Sequence, residues 1–352
     1  MLLYKIRCHL LLLVLCAAGL SFSGCVVHEL PVPPEAVAVC LRLNYKTDFP
    51  VWEHLIDRTA RQGTANPLQK GTMRYLVRAY PKSQQPAATD RPLYEYTFTH
   101  DLQEGYDRQM QLQLPAGDYT LRVWSDMTAS EDDIPFYDAT DFSSIALQGV
   151  HRGNTDYRDA FRGAADLTVV SDIVERTPDT LEVLMERPLA KFEFITTDVD
   201  AFIEKELRLR QAPSDGQTEQ PSRSQADSLR LEDYKVEFQY SGFMPDTYSL
   251  LTDKPIDSKV GVCFDSSLRR TGTGEASLGF DYVFVNGKES AITVQIGIYD
   301  QKGTRLTLSD PITVPLKRSY HTIMKGMFLM SETSGGVVID PDFDGDYNLI
   351  YP

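Results

Sequence analysis

The stretch "AITVQIGIY", residues 291–299, decides the fold class. Ile292, Val294, Ile296 and Ile298 fall on one side of an extended chain, and Thr293, Gln295 and Gly297 on the other. A period of two over this length describes a strand with one buried face. The same rhythm recurs in "VAVCLRL" (37–43), "YEYTF" (94–98), "MQLQL" (110–114), "YTLRVW" (119–124), "TLEVLM" (180–185), "KFEFIT" (191–196) and "KVEFQY" (235–240). The "PAGD" turn between residues 114 and 119 predicts that the strands on either side pair as a hairpin. Strands with one apolar face have to cover it against another sheet, so the chain reads as mostly β and built of sandwiches.

Helical signals are few. "DVDAFIEKELRLR" (198–210) offers Asp198 or Asp200 as a cap, a stripe of Phe202, Ile203 and Leu207, and Glu206 spaced for Arg210. "WEHLIDR" (52–58) is a weaker helical candidate. Residues 211–228 are polar, with no aromatic or branched aliphatic side chain, and read as a disordered surface insertion. Pro188 interrupts the pattern after "TLEVLM", which puts a boundary between an N-terminal sandwich (37–185) and a C-terminal one (186–352).

The N-terminus is a different kind of segment. Lys5 and Arg7 precede the apolar run "CHLLLLVLCAAGL", which is short for a membrane span and suits a removable signal, residues 1–24. "LSFSGCVVHELP" (20–31) then places the small residues Ser23 and Gly24 before Cys25, as a bacterial lipobox does, with Phe22 in place of the usual leucine. Cys25 is thus the candidate lipidation site. Several acyl chains together, at about 0.8 kcal/mol per buried CH₂, hold a protein where one does not. The alternative is an ordinary signal peptide with an incidental cysteine. Residues 25–36 read as an extended tether, since "VVHELPVPPEA" (26–36) is rich in proline.

Composition narrows the function. The formal net charge is −15, and loss of Lys5 and Arg7 with the signal makes the remainder more acidic still. Nothing forms a basic patch able to displace counterions from phosphates, so nucleic acid is not an expected partner. Cys8 and Cys16 lie in the signal, leaving Cys40 and Cys263 beyond Cys25; they read as two buried thiols, with a disulfide between them as the alternative. No CxxC, GxSxG, phosphate loop or HExxH occurs. His28, His54, His100, His151 and His321 are scattered without metal-ligand spacing. No catalytic set stands out and no cofactor is expected beyond the covalent lipid.

Two features remain. "DPDFDGDYN" (340–348) aligns Asp340, Asp342 and Asp344 like the start of a calcium loop, but the twelfth position is Tyr351 rather than a bidentate carboxylate. It reads as an acidic turn, with a weak calcium site as the alternative. Trp52 and Trp124 could stack on sugars, although two tryptophans in a β-protein more often serve the core.

Several stretches taken in order carry a resemblance: "CVVHELP", "AFRGAADLTV", "ERPLAKFEFITTD", "VEFQYSGFMPDTYSLLTDKP", "VGVCFDS", "RSYHTIMKGMFLM" and "GGVVIDPDFDGDYN". Together they resemble the FimB/Mfa2-type fimbrial anchor lipoproteins of the Bacteroidales and a related group of uncharacterised lipoproteins. The resemblance implies two tandem transthyretin-like (Greek-key) sandwiches. It also implies a lipid-anchored outer-membrane protein whose partners are outer-membrane lipid and fimbrial subunits of the same class. By the same resemblance, subunits join by strand exchange. The partner-facing strands would be the first, with Val37, Val39, Leu41 and Leu43, and the last, with Val337 and Ile339. A surface glycan-binding lipoprotein of a nutrient-uptake system is the alternative reading.

Overall fold

β-Branched and aromatic residues at alternate positions fold into the strands their pattern calls for. The computed structural model describes residues 36–55, 70–82, 91–130, 133–170, 180–211 and 229–330. In the N-terminal half the strands are β1 (Ala36–Tyr45), β2 (Val51–Leu55), β3 (Thr72–Pro81), β4 (Tyr94–Asp101) and β5 (Arg108–Pro115), then β6 (Gly117–Thr128), β7 (Tyr137–Asp138), β8 (Ile145–Leu147), β9 (Ala160–Val169) and β10 (Thr180–Met185). The C-terminal half opens with β11 (Leu189–Thr196) and helix α1 (Val199–Gln211). There follow β12 (Lys235–Tyr240), β13 (Met244–Ser249), β14 (Lys254–Lys259), β15 (Cys263–Ser267), β16 (Arg269–Gly272) and β17 (Glu275–Phe284). The last four are β18 (Glu289–Tyr299), β19 (Arg305–Leu308), β20 (Ile312–Lys317) and β21 (His321–Gly326).

Two sandwiches result. In the first, the sheet β10-β1-β5 faces the sheet β4-β3-β6-β9. Their inward residues, among them Leu41, Leu43, Leu112, Leu114, Val77, Val123 and Met185, share one core. In the second, β16-β17-β11-β21-β2 faces β15-β12-β18, with β19 and β20 both paired to β18. Ile292, Val294, Ile296 and Ile298 all enter that core, along with Phe192, Phe194 and Phe238. The sequence alternation therefore points the way it predicts.

A fifth sheet, β14-β13-β8-β7, joins the halves: Thr247 pairs with Ala146 and Tyr248 with Ile145. Beneath it lies a third core of Trp124, Tyr137, Phe142, Tyr248, Phe280 and Phe284. β2 also crosses the division at 185/186, because it runs parallel to β21 on the edge of the C-terminal sheet. Large apolar junctions suppress independent domain motion, and the described residues from Val37 onward form one compact unit.

Four local expectations are corrected. "MQLQL" and "YTLRVW" do not form a hairpin, since β5 and β6 lie in opposite sheets. Pro115 lacks the amide a tight ladder needs, and the short connection carries the chain over the core rather than back along it. "WEHLIDR" is strand, not helix, over 51–55, where the open edge of β21 supplies backbone partners; residues 56–58 lie outside the described ones. In α1 the i,i+4 pair is Glu204 with Arg208, while Glu206 is buried and accepts from the Tyr234 hydroxyl at 2.9 Å. Cys40 is buried as expected, but Cys263 is exposed, because it starts the edge strand β15 on the face opposite Phe264; both thiols are free.

One glycine fixes how the N-terminal sandwich closes. At Gly163, on β9, an added Cβ would sit 2.6 Å from both the Met185 sulfur and Val183 Cγ1 of β10. Replacing Gly163 with alanine should therefore cost about 1–3 kcal/mol, read as a lower denaturant midpoint with unchanged slope; a midpoint equal to wild type would show that the flank is loose.

Candidate partner interface

β1 follows directly on the proline-rich stretch of the sequence, residues 30–35. It is the middle strand of its sheet, parallel to β10 from Cys40↔Thr180 to Tyr45↔Met185, with β5 on the other side. Val39 is 6% exposed, and Leu41 and Leu43 are fully enclosed; Val37 is half-buried at the entrance. All four predicted residues thus share one face and one core. On the outer face Arg42 pairs with Glu182 at 3.6 Å, and Asn44 donates to the same carboxylate. A central strand has its backbone satisfied on both sides and meets a partner only by leaving its place. The slot it would vacate is lined by Leu112, Leu114, Val183 and Met185.

After β1 the chain crosses the junction as a strap, residues 46–50, before entering β2. One buried guanidinium holds this strap. Arg187 Nη1 donates to the carbonyls of Lys46, Thr47 and Asp48, each at 3.2 Å. Its Nε and Nη2 face the carboxylate of Asp159 at 2.8 Å. The ring of Phe49 lies 4.2 Å from its carbon on one side and that of Phe161 4.5 Å away on the other. A planar, delocalised cation suits this set of contacts, where lysine's point charge does not. Phe49 stacks in turn on Tyr282 and His321 of the C-terminal sheet.

Further charges gather at the same junction. Asp281, fully buried, accepts from His151, Arg158 and Tyr240, each at 2.7 Å. Burial alone would push its carboxyl up, but Arg158, with help from His151 and Tyr240, outweighs that and holds it below the ordinary range. Asp159 is different: burial dominates and pushes its carboxyl up despite Arg187. Nearer the surface, Asp253 bridges Arg162 at 2.8 Å and Arg318 at 2.7 Å and takes the Tyr248 hydroxyl. Its carboxyl is also held low, the two arginines and Tyr248 overcoming the effect of burial.

These clusters do structural work, linking β9, the strap, β17 and the turns of the C-terminal sandwich. His100 meets Tyr75 and the Gly105 carbonyl, and His321 lies against Glu193. Among the described residues no three His, Cys, Asp or Glu side chains converge as a metal set. Trp124 is fully enclosed and donates to Asp126 at 3.0 Å, so it belongs to the core. The side chain of Trp52 lies outside the described residues, as do Cys25, the insertion beyond 211, Val337, Ile339, Asp340, Asp342 and Asp344. Among the described residues no helix is long and apolar enough to cross a membrane.

The clearest free edges lie on one flank of the N-terminal sandwich, where β4 and β5 end their sheets. Tyr94, Tyr96 and Phe98 fill the gap between them, and the Tyr96 hydroxyl caps the Gln113 carbonyl at 2.5 Å. An edge whose carbonyl is already occupied is a poor template for a stray strand. Sequence reasoning found β1 from its alternation but missed the junction. One signal was available: Asp281 interrupts the apolar run "LGFDYVF", and an acid there needs a buried partner.

The fold and its polar joints define a β-protein of two sandwiches fused through a shared sheet. The family model for the family of unknown function DUF6562 matches residues 34–351. The chain belongs to that family. No curated protein matches it. Solved structures with a similar arrangement include a candidate cell-adhesion protein from Bacteroides eggerthii, 12% identical, TM-score 0.41, covering 87% of this chain and 91% of that one. A candidate polysaccharide-binding protein from Bacteroides thetaiotaomicron is 10% identical, TM-score 0.40, covering 77% and 79%. The fimbrial anchor protein Mfa2 from Porphyromonas gingivalis is 11% identical, TM-score 0.34, covering 78% and 82%. At these scores the likenesses carry no functional argument.

Two outcomes are expected of the junction. Arg187→Ala leaves Asp159 buried without its partner and should cost about 3–5 kcal/mol, with Arg187→Lys recovering little; equilibrium unfolding measures both. Asp281 and Asp253 are held low when folded, so each adds stability that is complete above the unfolded carboxylate value of about 4 and is lost as pH falls through the folded one. Asp159, held high, works against this trend. Urea midpoints should fall below about pH 4, and Asp253→Asn should flatten that acid limb.

Proposed function

We propose that this chain is a lipid-anchored outer-membrane protein of the fimbrial and adhesin class, without catalysis, that holds or forms part of a fimbrium through strand-mediated contacts with subunits of its own class. Cys25 carries the lipid, residues 26–36 span the gap to the folded body, and the division near residue 186 separates two sandwiches. The observation that supports this reading most is the seat of β1. The first strand after the tether is the middle strand of its sheet, and the strap that follows is bolted to both halves. Force applied at the lipid therefore enters the interior of the fold rather than a peripheral strand.

The alternation of β1 also suits exchange. In a subunit of the same class whose own first strand has been removed, a donor strand with apolar residues at every second position would fill the slot between β5 and β10, its backbone bonds supplying affinity and Leu112, Leu114, Val183 and Met185 the pockets. The C-terminal segment of the sequence that carries Val337 and Ile339 would be the corresponding element on the other side of such a contact.

Growth with radiolabelled palmitate should label the wild type, and Cys25→Ala should abolish the label and release the protein from the outer-membrane fraction. An unlabelled wild type would remove the anchor from this reading. Capture of the tagged protein from its own outer membrane should bring down β-rich fimbrial subunits; recovery of a glycan importer and its receptor instead would move the chain to the nutrient-binding class.

A further inference from the structure

A pair at the junction, a buried lysine and a half-buried aspartate, is arranged for covalent chemistry. Lys191 opens the polar face of β11, and its side chain is 4% exposed. Its Nζ lies 2.7 Å from Asp156 Oδ1, in the short 3-10 turn 156–158 that precedes β9. The ring of Phe280 sits 3.9 Å from Nζ, and that of Tyr282 5.4 Å. The Tyr282 hydroxyl donates to the same Asp156 oxygen at 2.7 Å. Around the pair stand Asp159, bound to Arg187, and Glu193, two residues along the same strand face and engaged by Ser277 and His321.

The geometry points to an intramolecular isopeptide bond between Lys191 Nζ and Asp156 Cγ. An amine nitrogen in hydrogen-bond contact with one carboxyl oxygen stands close to the carboxyl carbon, near the roughly 3–3.5 Å of a productive approach. Enclosure of the Lys191 side chain between β11 and the Phe280 and Tyr282 rings leaves its nitrogen little freedom to move away from the carboxyl group. The Tyr282 hydroxyl is aimed at the oxygen on which charge develops during attack, where a fixed donor is most effective.

The step balances without oxidant or cofactor. The ammonium gives one proton to the carboxylate, and the resulting amine attacks Cγ to form the C–N bond. The oxygen not held by Tyr282 then departs as water, carrying that proton and a second one from the nitrogen. The product is a neutral amide, so the buried ammonium of Lys191 disappears. It ties the turn before β9 of the N-terminal sandwich to the first strand of the C-terminal one, across 35 residues of chain. The cross-link does not depend on the lipid at Cys25.

Peptide mapping of the full-length protein by mass spectrometry tests this directly. In the tryptic digest, residues 153–158 should appear joined to residues 177–205, one water lighter than the two together, with no cleavage after Lys191. Asp156→Ala and Lys191→Arg should each abolish the joined peptide; the arginine variant keeps the positive charge and serves where the alanine variant fails to fold. Separate 153–158 and a peptide ending at Lys191 in the wild type would overturn the proposal and leave an ordinary ion pair.

Discussion

The buried guanidinium of Arg187 is the contact on which the rest of the architecture depends. It sits at the point where the strap, the N-terminal core and the start of the C-terminal sandwich converge. A charge so enclosed is tolerated only with a carboxylate and enough acceptors around it. Asp159 provides the first and three strap carbonyls the second, so the chain before β2 has one route across the junction. The backbone of Arg187 is held as well, its carbonyl accepting from Arg318 and Ser319.

That route explains why the N-terminal segment takes part in both sandwiches. β1 completes one sheet and β2 the edge of another, with only residues 46–50 between them. Parallel pairing of β1 with β10 and of β2 with β21 needs long crossovers, so neither pairing can form until most of the intervening chain is in place. The aromatic core under the shared sheet and the ionic contacts around Asp253 and Asp281 then fix one orientation.

Much of the fold was legible in the chain itself. β12 spans the residues its alternation marked, β18 contains its own run, and their apolar residues face the core. The failures share a cause. The break at "PAGD" looks the same whether the next strand pairs with the last or crosses above it, because both put the same residues inward. "WEHLIDR" carries a helical stripe, yet an unfilled sheet edge outweighs local preference. The charged partners of Arg187, Asp281 and Lys191 lie 28 to 130 residues away and the strap carbonyls of Arg187 up to 141, and no local pattern encodes such distances.

The sequence alone determined the fold class: many one-sided strands and one firm helix. These follow from periodicity and composition, which act over a few residues and need no knowledge of neighbours. Tertiary structure decided which strand is central, how the halves are joined, and which charged residues are buried. Those outcomes depend on desolvation and on contacts between distant segments, and a side chain's solvation is set only when the chain has closed around it.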